Sequence, residues 1–86
     1  MSNVAYRYKG EIQKMVARFS ARNQLQAKVK SVKLGAVMAE IIVTLADGQE
    51  IVSAITRTSA ESLNLKEGDS VVAIIKSTEV MIGVNE

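Results

Sequence analysis

The spacing of apolar residues changes once along this chain, and the change divides the chain in two. In the first part, four apolar residues recur at the i, i+3, i+4, i+7 spacing of one helix face: Ile12, Met15, Val16 and Phe19. The pattern predicts a short amphipathic helix over residues 8–18, which either docks on the main domain or a neighbouring subunit or serves as an arm for a partner. We therefore separate an N-terminal helical extension, residues 1–19, from a main domain, residues 20–86.

From Leu25 onward the apolar spacing is two, which is typical of β-strands. In the first strand one face is expected to hold Leu25, Ala27, Val29 and Ser31. Residues 37–45 are apolar almost throughout, which predicts a second strand that is covered on both faces. Asp47-Gly48 is a hairpin signal, and a third strand is expected over residues 50–55.

The second half of the main domain predicts a short helix and two more strands. Thr58 and Glu61 have the spacing of a capping box at the start of a helix over residues 58–65. After it the pattern predicts a turn at 67–69, a strand over 70–76 and a last strand over 80–84. Five short strands with a helix between the third and fourth predict a mainly β fold, a small OB-like five-stranded β-barrel.

Composition removes most catalytic chemistry from consideration. The 86-residue chain has no His, Cys or Trp, so the commonest general base, the thiol nucleophile and the usual zinc ligands are missing, and we expect no enzyme. The chain is 48% apolar and only 3% aromatic, which indicates a thin core. Because so short a chain is marginally stable alone, we expect part of the apolar surface to form contacts in a homo-oligomer.

Charge and aromatic content do not favour nucleic-acid or membrane binding. The net charge is only +2, and the aromatic residues Tyr6, Tyr8 and Phe19 all precede the strands, where an OB fold would need them for base stacking. No run of 18 apolar residues occurs, so we expect no membrane span. The N-terminus lacks the apolar segment of a secretory signal, and a cytoplasmic protein is expected.

Three short stretches hold hydroxyl and cationic donors, the groups that bind oxyanions. They comprise Ser20 and Arg22 before the first strand, Thr56 and Ser59 near the start of the predicted helix, and Lys76 and Ser77 at the end of the fourth strand. Each stretch also has a plainer explanation: a solvated arginine, a helix cap, and a lysine that reaches water at a strand end. Their joint order and spacing favour an anion site.

Several pieces of the main domain together resemble the molbindin (Mop) family and the related TOBE domains of molybdate transporters and regulators. The matching pieces are residues 20–25, Gly35 with 37–40, 54–56 with Ser59, Leu63 and Leu65 with Gly68, and 71–80. The resemblance extends from residue 20 to about residue 84. The chain departs from the family in its N-terminal extension and at Ala27, where the family usually has Gly and where the added methyl group is expected to crowd the strand contact or tilt the register.

The resemblance implies an OB-like barrel that assembles as a hexamer, a trimer of dimers with an exchanged strand. It implies molybdate or tungstate bound as an oxyanion at subunit interfaces, for storage or homeostasis, with no metal ion held directly by side chains. The implied ligands are Ser20, Arg22, Lys76 and Ser77, with Thr56 and Ser59 contributed across the interface. Two alternatives stay open: a molybdate-responsive regulatory module that acts through a protein partner, and an oligomerisation module whose anion sites have been lost.

Overall fold

The computed structural model describes residues 20–85, which form one curled antiparallel sheet with a short helix. In chain order the elements are β1 (Asn23–Leu34), β2 (Met38–Leu45), β3 (Glu50–Thr56), α1 (Arg57–Ser62), β4 (Ser70–Ile75) and a 3₁₀ turn (Ser77–Glu79). The strand order is β3-β2-β1-β4, so β1 is paired on both sides and β3 and β4 are the edges. No helix in this part of the chain is long and apolar enough to cross a membrane. The helix predicted over residues 8–18 lies outside the described residues.

The C-terminal segment forms no strand, so the sheet has four strands and is a half-barrel. Residues 80–85 have no regular structure, and their apolar side chains are exposed, with Met81 92% and Ile82 87% accessible. The mainly β class is confirmed, but the fifth strand over 80–84 is wrong for a single chain. A strand needs a neighbouring edge for its backbone hydrogen bonds, and within residues 20–85 this segment pairs with none.

One face of the sheet, the inner face, is packed, and the other is open. The buried core consists of Ala27, Val29, Ala39, Ile41, Val43 and Ala60. Along β2, Ala39 and Ile41 point into this core, while the alternating Met38 and Glu40 are exposed on the outer face. The expectation that β2 is covered on both faces is therefore wrong for one chain, because α1 and the loop after it lie against the inner face only.

A β-bulge in the middle of β1 reverses which residues face the core. Lys30 has no partner in β2, although Val29 and Ser31 on either side of it do. The extra residue shifts the alternation, so that Val32 packs on the core and Ser31 lies on the outer face, contrary to the predicted pattern. The carbonyl of Val29 accepts a hydrogen bond at 2.8 Å from the amide of Gly68, whose φ of 91° suits glycine.

Ala27 fits the sheet without distortion. It pairs with Leu45 of β2 and Val71 of β4 in continuous register, and only 8% of its surface is exposed. The methyl group contributes to the core, so the expected crowding or tilt does not occur at this position within one chain. The register shift of β1 lies instead at Lys30, three residues further along the strand.

The Asp47-Gly48 hairpin turn is confirmed. Gly48 has a φ of 92°, and the amide of Leu45 donates to the carbonyl of Gln49 at 2.7 Å, which closes the loop between β2 and β3. The carboxylate of Asp47 accepts hydrogen bonds from the side-chain amide and the backbone amide of Gln49. These bonds favour the ionised form and lower the pKa of the Asp47 carboxyl from its usual 3.8.

Candidate functional site

Two of the three predicted donor stretches meet at one corner of the sheet. Asn23, the first residue of β1, pairs with Ile75, the last residue of β4, so Arg22 and Lys76 follow as neighbours beyond this pair. Both side chains are exposed, and neither forms an ion pair with another residue in 20–85. We call Ser20, Arg22, Lys76 and Ser77 the cationic corner. Two cations at neighbouring register positions, neither of them in an ion pair within residues 20–85, attract an anion with two negative charges.

The third stretch is a pair of hydroxyls at the start of α1, which we call the cap pair. The Oγ1 atom of Thr56 accepts a hydrogen bond from the backbone amide of Ser59 at 3.0 Å, and it donates to Ser59 Oγ at 2.8 Å. Thr56 is the N-cap residue, with extended backbone angles at the end of β3. Because the hydroxyl of Ser59 is the acceptor of this bond, its own hydrogen is free to bind a ligand.

The capping box predicted from Thr58 and Glu61 is wrong, and so are the predicted limits of the helix. The strand β3 continues to Thr56, so the helix begins at Arg57 and ends at Ser62 instead of spanning 58–65. Thr58 lies inside the first turn. Glu61 forms an ion pair with Arg57, whose Nε lies 2.9 Å from Glu61 Oε2.

Arg57 is the cation nearest to the cap pair along the chain, and it is already engaged. Besides its ion pair with Glu61, its Nη1 donates to the carbonyl of Gly35 at 3.2 Å, and its backbone amide donates to the carbonyl of Val37 at 2.8 Å. These bonds hold α1 against the turn between β1 and β2. The cap pair therefore presents the hydroxyl hydrogen of Ser59, while the cation of its own helix is paired with a carboxylate.

The cationic corner and the cap pair lie near opposite ends of β1. Thr56 pairs with Met38, the first residue of β2. Met38 follows the turn after Leu34, where β1 ends, whereas Arg22 lies just before the start of β1. Twelve residues at about 3.3 Å each place the two ends of β1 on the order of 35 Å apart along the strand. Within one chain, the two stretches of the cationic corner therefore lie together, and the third stretch, the cap pair, lies apart from them.

The residues beside the cap pair on the outer face did not stand out in the sequence as functional. Because Ala39 and Ile55 point inward, their alternating neighbours Met38 and Thr56 point outward, together with Val52 and Ala54 of β3. We call Met38, Val52 and Ala54 the outer patch. Met38 is 47% and Val52 61% exposed. Strand alternation could have identified this patch, but its position beside Thr56 depends on the register between β2 and β3.

The inner face holds an open apolar groove that suits a different occupant. The groove has a volume of about 340 Å³, and the side chains that line it include Val29, Ile41, Val43, Ile55, Leu65 and Val71. It contains no cationic side chain, so it does not suit an oxyanion. The described part of the chain also has no cluster of His, Cys, Asp or Glu that could hold a metal ion directly. The ammonium, guanidinium and hydroxyl groups of the corner and cap pair suit an anion.

A family model, individual proteins and solved structures all match the same part of this chain, which begins near residue 20. A TOBE domain model matches residues 20–82. Molybdenum-pterin-binding protein 3 of Clostridium pasteurianum is 51% identical over 63 residues, which are 73% of this chain and 93% of that protein. A molybdate-binding protein from Sporomusa ovata superposes with a TM-score of 0.74 at 41% identity, covering 79% of this chain and all of that one.

A third protein extends the comparison to a structure with a ligand. The cytoplasmic molybdate-binding protein ModG, in a form with molybdate bound, superposes with a TM-score of 0.76 at 43% identity over 80% of this chain and 49% of that chain. The domain match begins at residue 20, so residues 1–19 lie outside it. With the domain match over residues 20–82 and a 51% identical molybdenum-pterin-binding protein covered over 93% of its length, this chain belongs to the molbindin (Mop) family of TOBE-domain proteins.

Proposed function

We propose that this protein binds molybdate, or tungstate of the same shape and charge, and serves in its storage or homeostasis without catalysis. The observation that carries the proposal is the juxtaposition of Arg22 and Lys76 at one corner of the sheet, with no carboxylate paired to either among residues 20–85. The names of the relatives, molybdenum-pterin-binding and molybdate-binding proteins, support the same ligand.

The donor set matches what a tetrahedral dianion requires. Removing a dianion from water is costly unless nearly equal positive charge and several hydrogen-bond donors replace its hydration. Arg22 supplies a planar fork of donors, Lys76 supplies the second positive charge, and the hydroxyls of Ser20 and Ser77 add neutral donors. The bound species is the whole oxyanion, held through its oxygen atoms.

The binding site is completed by a second copy of the chain. The cap pair, Thr56 and Ser59, lies at the other end of β1 from the cationic corner, so the cap pair that meets the corner belongs to a neighbouring subunit. A homo-oligomer follows, and the family resemblance favours a hexamer built as a trimer of dimers. The open apolar groove and the exposed apolar residues of segment 80–84 support exchange of that segment between copies.

The cytoplasm is the proposed location, in line with the description of ModG. A regulatory module that responds to molybdate and acts through a protein partner is the second candidate. The observation that favours it is that residues 1–19 lie outside the TOBE match. If deletion of residues 1–19 leaves both the assembly and every partner unchanged, this second candidate fails.

Isothermal titration calorimetry tests the proposed ligand. Molybdate and tungstate are expected to bind, and Arg22→Ala is expected to weaken molybdate by about 2 kcal/mol, roughly 30-fold, because it removes a charge-assisted hydrogen bond. Lys66→Ala removes the same unit of charge from an exposed position outside the corner and serves as the matched control. Titrations with sulfate and phosphate measure selectivity. The proposal fails if molybdate releases no heat with the unchanged protein, or if the two variants lose affinity equally.

A further inference from the structure

We propose that Gln24 is a positioning residue for the oxyanion: its side-chain amide holds the backbone that carries Arg22 and does not itself touch the anion. This inference rests on the proposed function and adds a residue on which the affinity of the cationic corner depends. Its basis is a hydrogen bond from Gln24 Nε2 to the carbonyl oxygen of Ala21 at 2.9 Å, together with the burial of the other end of the same amide.

The stretch that precedes β1 lies outside the strand ladder. The pairing of β1 with β4 begins at Asn23 and Ile75, and residues 20–22 have no regular secondary structure. Among the hydrogen bonds within residues 20–85, the bond donated by Gln24 is the one that reaches back into this stretch. The position of Arg22 relative to Lys76 therefore depends on this bond as well as on the first strand pair.

The bond from Gln24 and the strand pair hold the backbone on the two sides of Arg22. The carbonyl of Ala21 belongs to the same planar peptide unit as the amide of Arg22, so a bond that holds this carbonyl also fixes the direction of the Arg22 amide. On the other side, Asn23 is held by its pairing with Ile75. The backbone of Arg22 is thus fixed at both ends, while its side chain is exposed.

Only one end of the Gln24 amide has a hydrogen-bond partner. Its oxygen, Oε1, is buried and accepts no hydrogen bond from residues 20–85. Turning the amide over would set this oxygen against the carbonyl of Ala21, and two acceptors form no hydrogen bond. Because burying an unpaired carbonyl costs at least as much as one neutral hydrogen bond contributes, the amide adds little to the stability of the fold. This balance favours a role in the site.

Preorganisation explains how such a bond affects binding. When the backbone of Arg22 is already fixed, the anion does not have to order it, and that cost is not subtracted from the free energy of binding. Fixing the backbone of one residue corresponds to a factor of about 5 to 30 in affinity. Because the pairing of Asn23 with Ile75 remains when the Gln24 bond is lost, we expect an effect at the lower end, about fivefold.

Gln24→Met tests the proposal by separating affinity from stability. It removes the amide and keeps a long, unbranched side chain. Calorimetry is expected to show molybdate binding about fivefold weaker, with an unchanged or higher thermal midpoint in the absence of ligand and the same mass in sedimentation. Gln26→Met is the matched control, on the same face of β1 two residues further along, at an exposed side chain without a hydrogen bond in residues 20–85. Equal affinities of the two variants, or a lower thermal midpoint or mass in Gln24→Met, overturn the proposal.

A double-mutant cycle distinguishes positioning from direct contact with the anion. If Gln24 acts through Arg22, Gln24→Met is expected to weaken molybdate binding by less than about twofold once Arg22→Ala is present. Additive effects overturn the positioning role.

Nuclear magnetic resonance measures the ordering itself, without a ligand. The order parameter of the Arg22 backbone amide is expected to fall in Gln24→Met and to stay unchanged in Gln26→Met. An unchanged order parameter in Gln24→Met overturns the inference. If the unaltered protein binds no molybdate, the proposed function fails, while the order parameter still decides whether Gln24 holds the stretch before β1.

Discussion

A shared site predicts that two variants that cannot bind molybdate restore binding to each other. The first variant, Arg22→Ala with Lys76→Ala, removes the cations of the corner and keeps the cap pair. The second, Thr56→Val with Ser59→Ala, removes the cap hydroxyls and keeps the corner. Because the corner and the cap pair lie at opposite ends of β1, each mutation leaves the other region structurally untouched. Each variant alone is expected to bind at least 100-fold more weakly than the wild type.

The expected recovery follows from counting the two halves of the site. In an equal mixture with random assembly, half of the corners and half of the cap pairs are intact, so about one quarter of the sites contain both. Wild type mixed equally with the corner variant retains about one half of its sites whether or not subunits exchange, so binding in that mixture does not measure exchange. Native mass spectrometry of the refolded variant mixture must therefore show assemblies that contain both variants.

Calorimetric stoichiometry after joint refolding is the appropriate assay. The chain contains no Pro and no Cys, so neither X-Pro isomerisation nor disulfide exchange slows refolding. Loss of the cap costs about 1 kcal/mol of stability, and circular dichroism must show that the cap variant is folded. Zero recovered sites in a variant mixture whose assemblies contain both variants would refute the conclusion that two chains share the site.

Two further predictions concern the fold. Ile41 is 3% exposed in the centre of the core. Ile41→Ala is therefore expected to lower the free energy of unfolding by about 2–5 kcal/mol, and Ile41→Val by about 1 kcal/mol. Urea denaturation measures both values, and equal effects of the two substitutions would contradict the packing. Because the pKa of Asp47 is lower in the folded than in the unfolded protein, its ionised carboxylate stabilises the fold. This stabilisation is present above the unfolded pKa of 3.8 and is lost as the pH falls through the lower, folded pKa. Asp47→Asn is expected to flatten the dependence of stability on pH in that acidic range, and an unchanged profile would contradict it.

Local chemistry explains why much of the structure could be predicted from the sequence. The Asp47-Gly48 turn depends on the positive φ that glycine adopts readily, and the inward positions of β2 and β3 follow from strict alternation. Arg22 and Lys76 could be selected as candidates because each stands within two residues of a serine in a stretch that resembles the ligand segments of the family. Each of these features is determined within a few residues.

Only the tertiary structure determined the features that depend on distant hydrogen bonds. The bulge at Lys30, which turns Val32 to the core, comes with a bond between Val29 and Gly68, nearly forty residues apart. The register of β3 against β2 carries the strand to Thr56 and makes that residue the helix cap.

The same reasoning applies to the candidate site. The amino-acid sequence by itself determined which side chains can bind an oxyanion, because that ability belongs to the individual functional groups. Their grouping was decided by the pairing of β1 with β4 and β2, which joins Arg22 to Lys76 and leaves Thr56 and Ser59 at the far end of the sheet. Strand pairing acts over long separations along the chain, and it divides the predicted site into two halves that one chain does not unite.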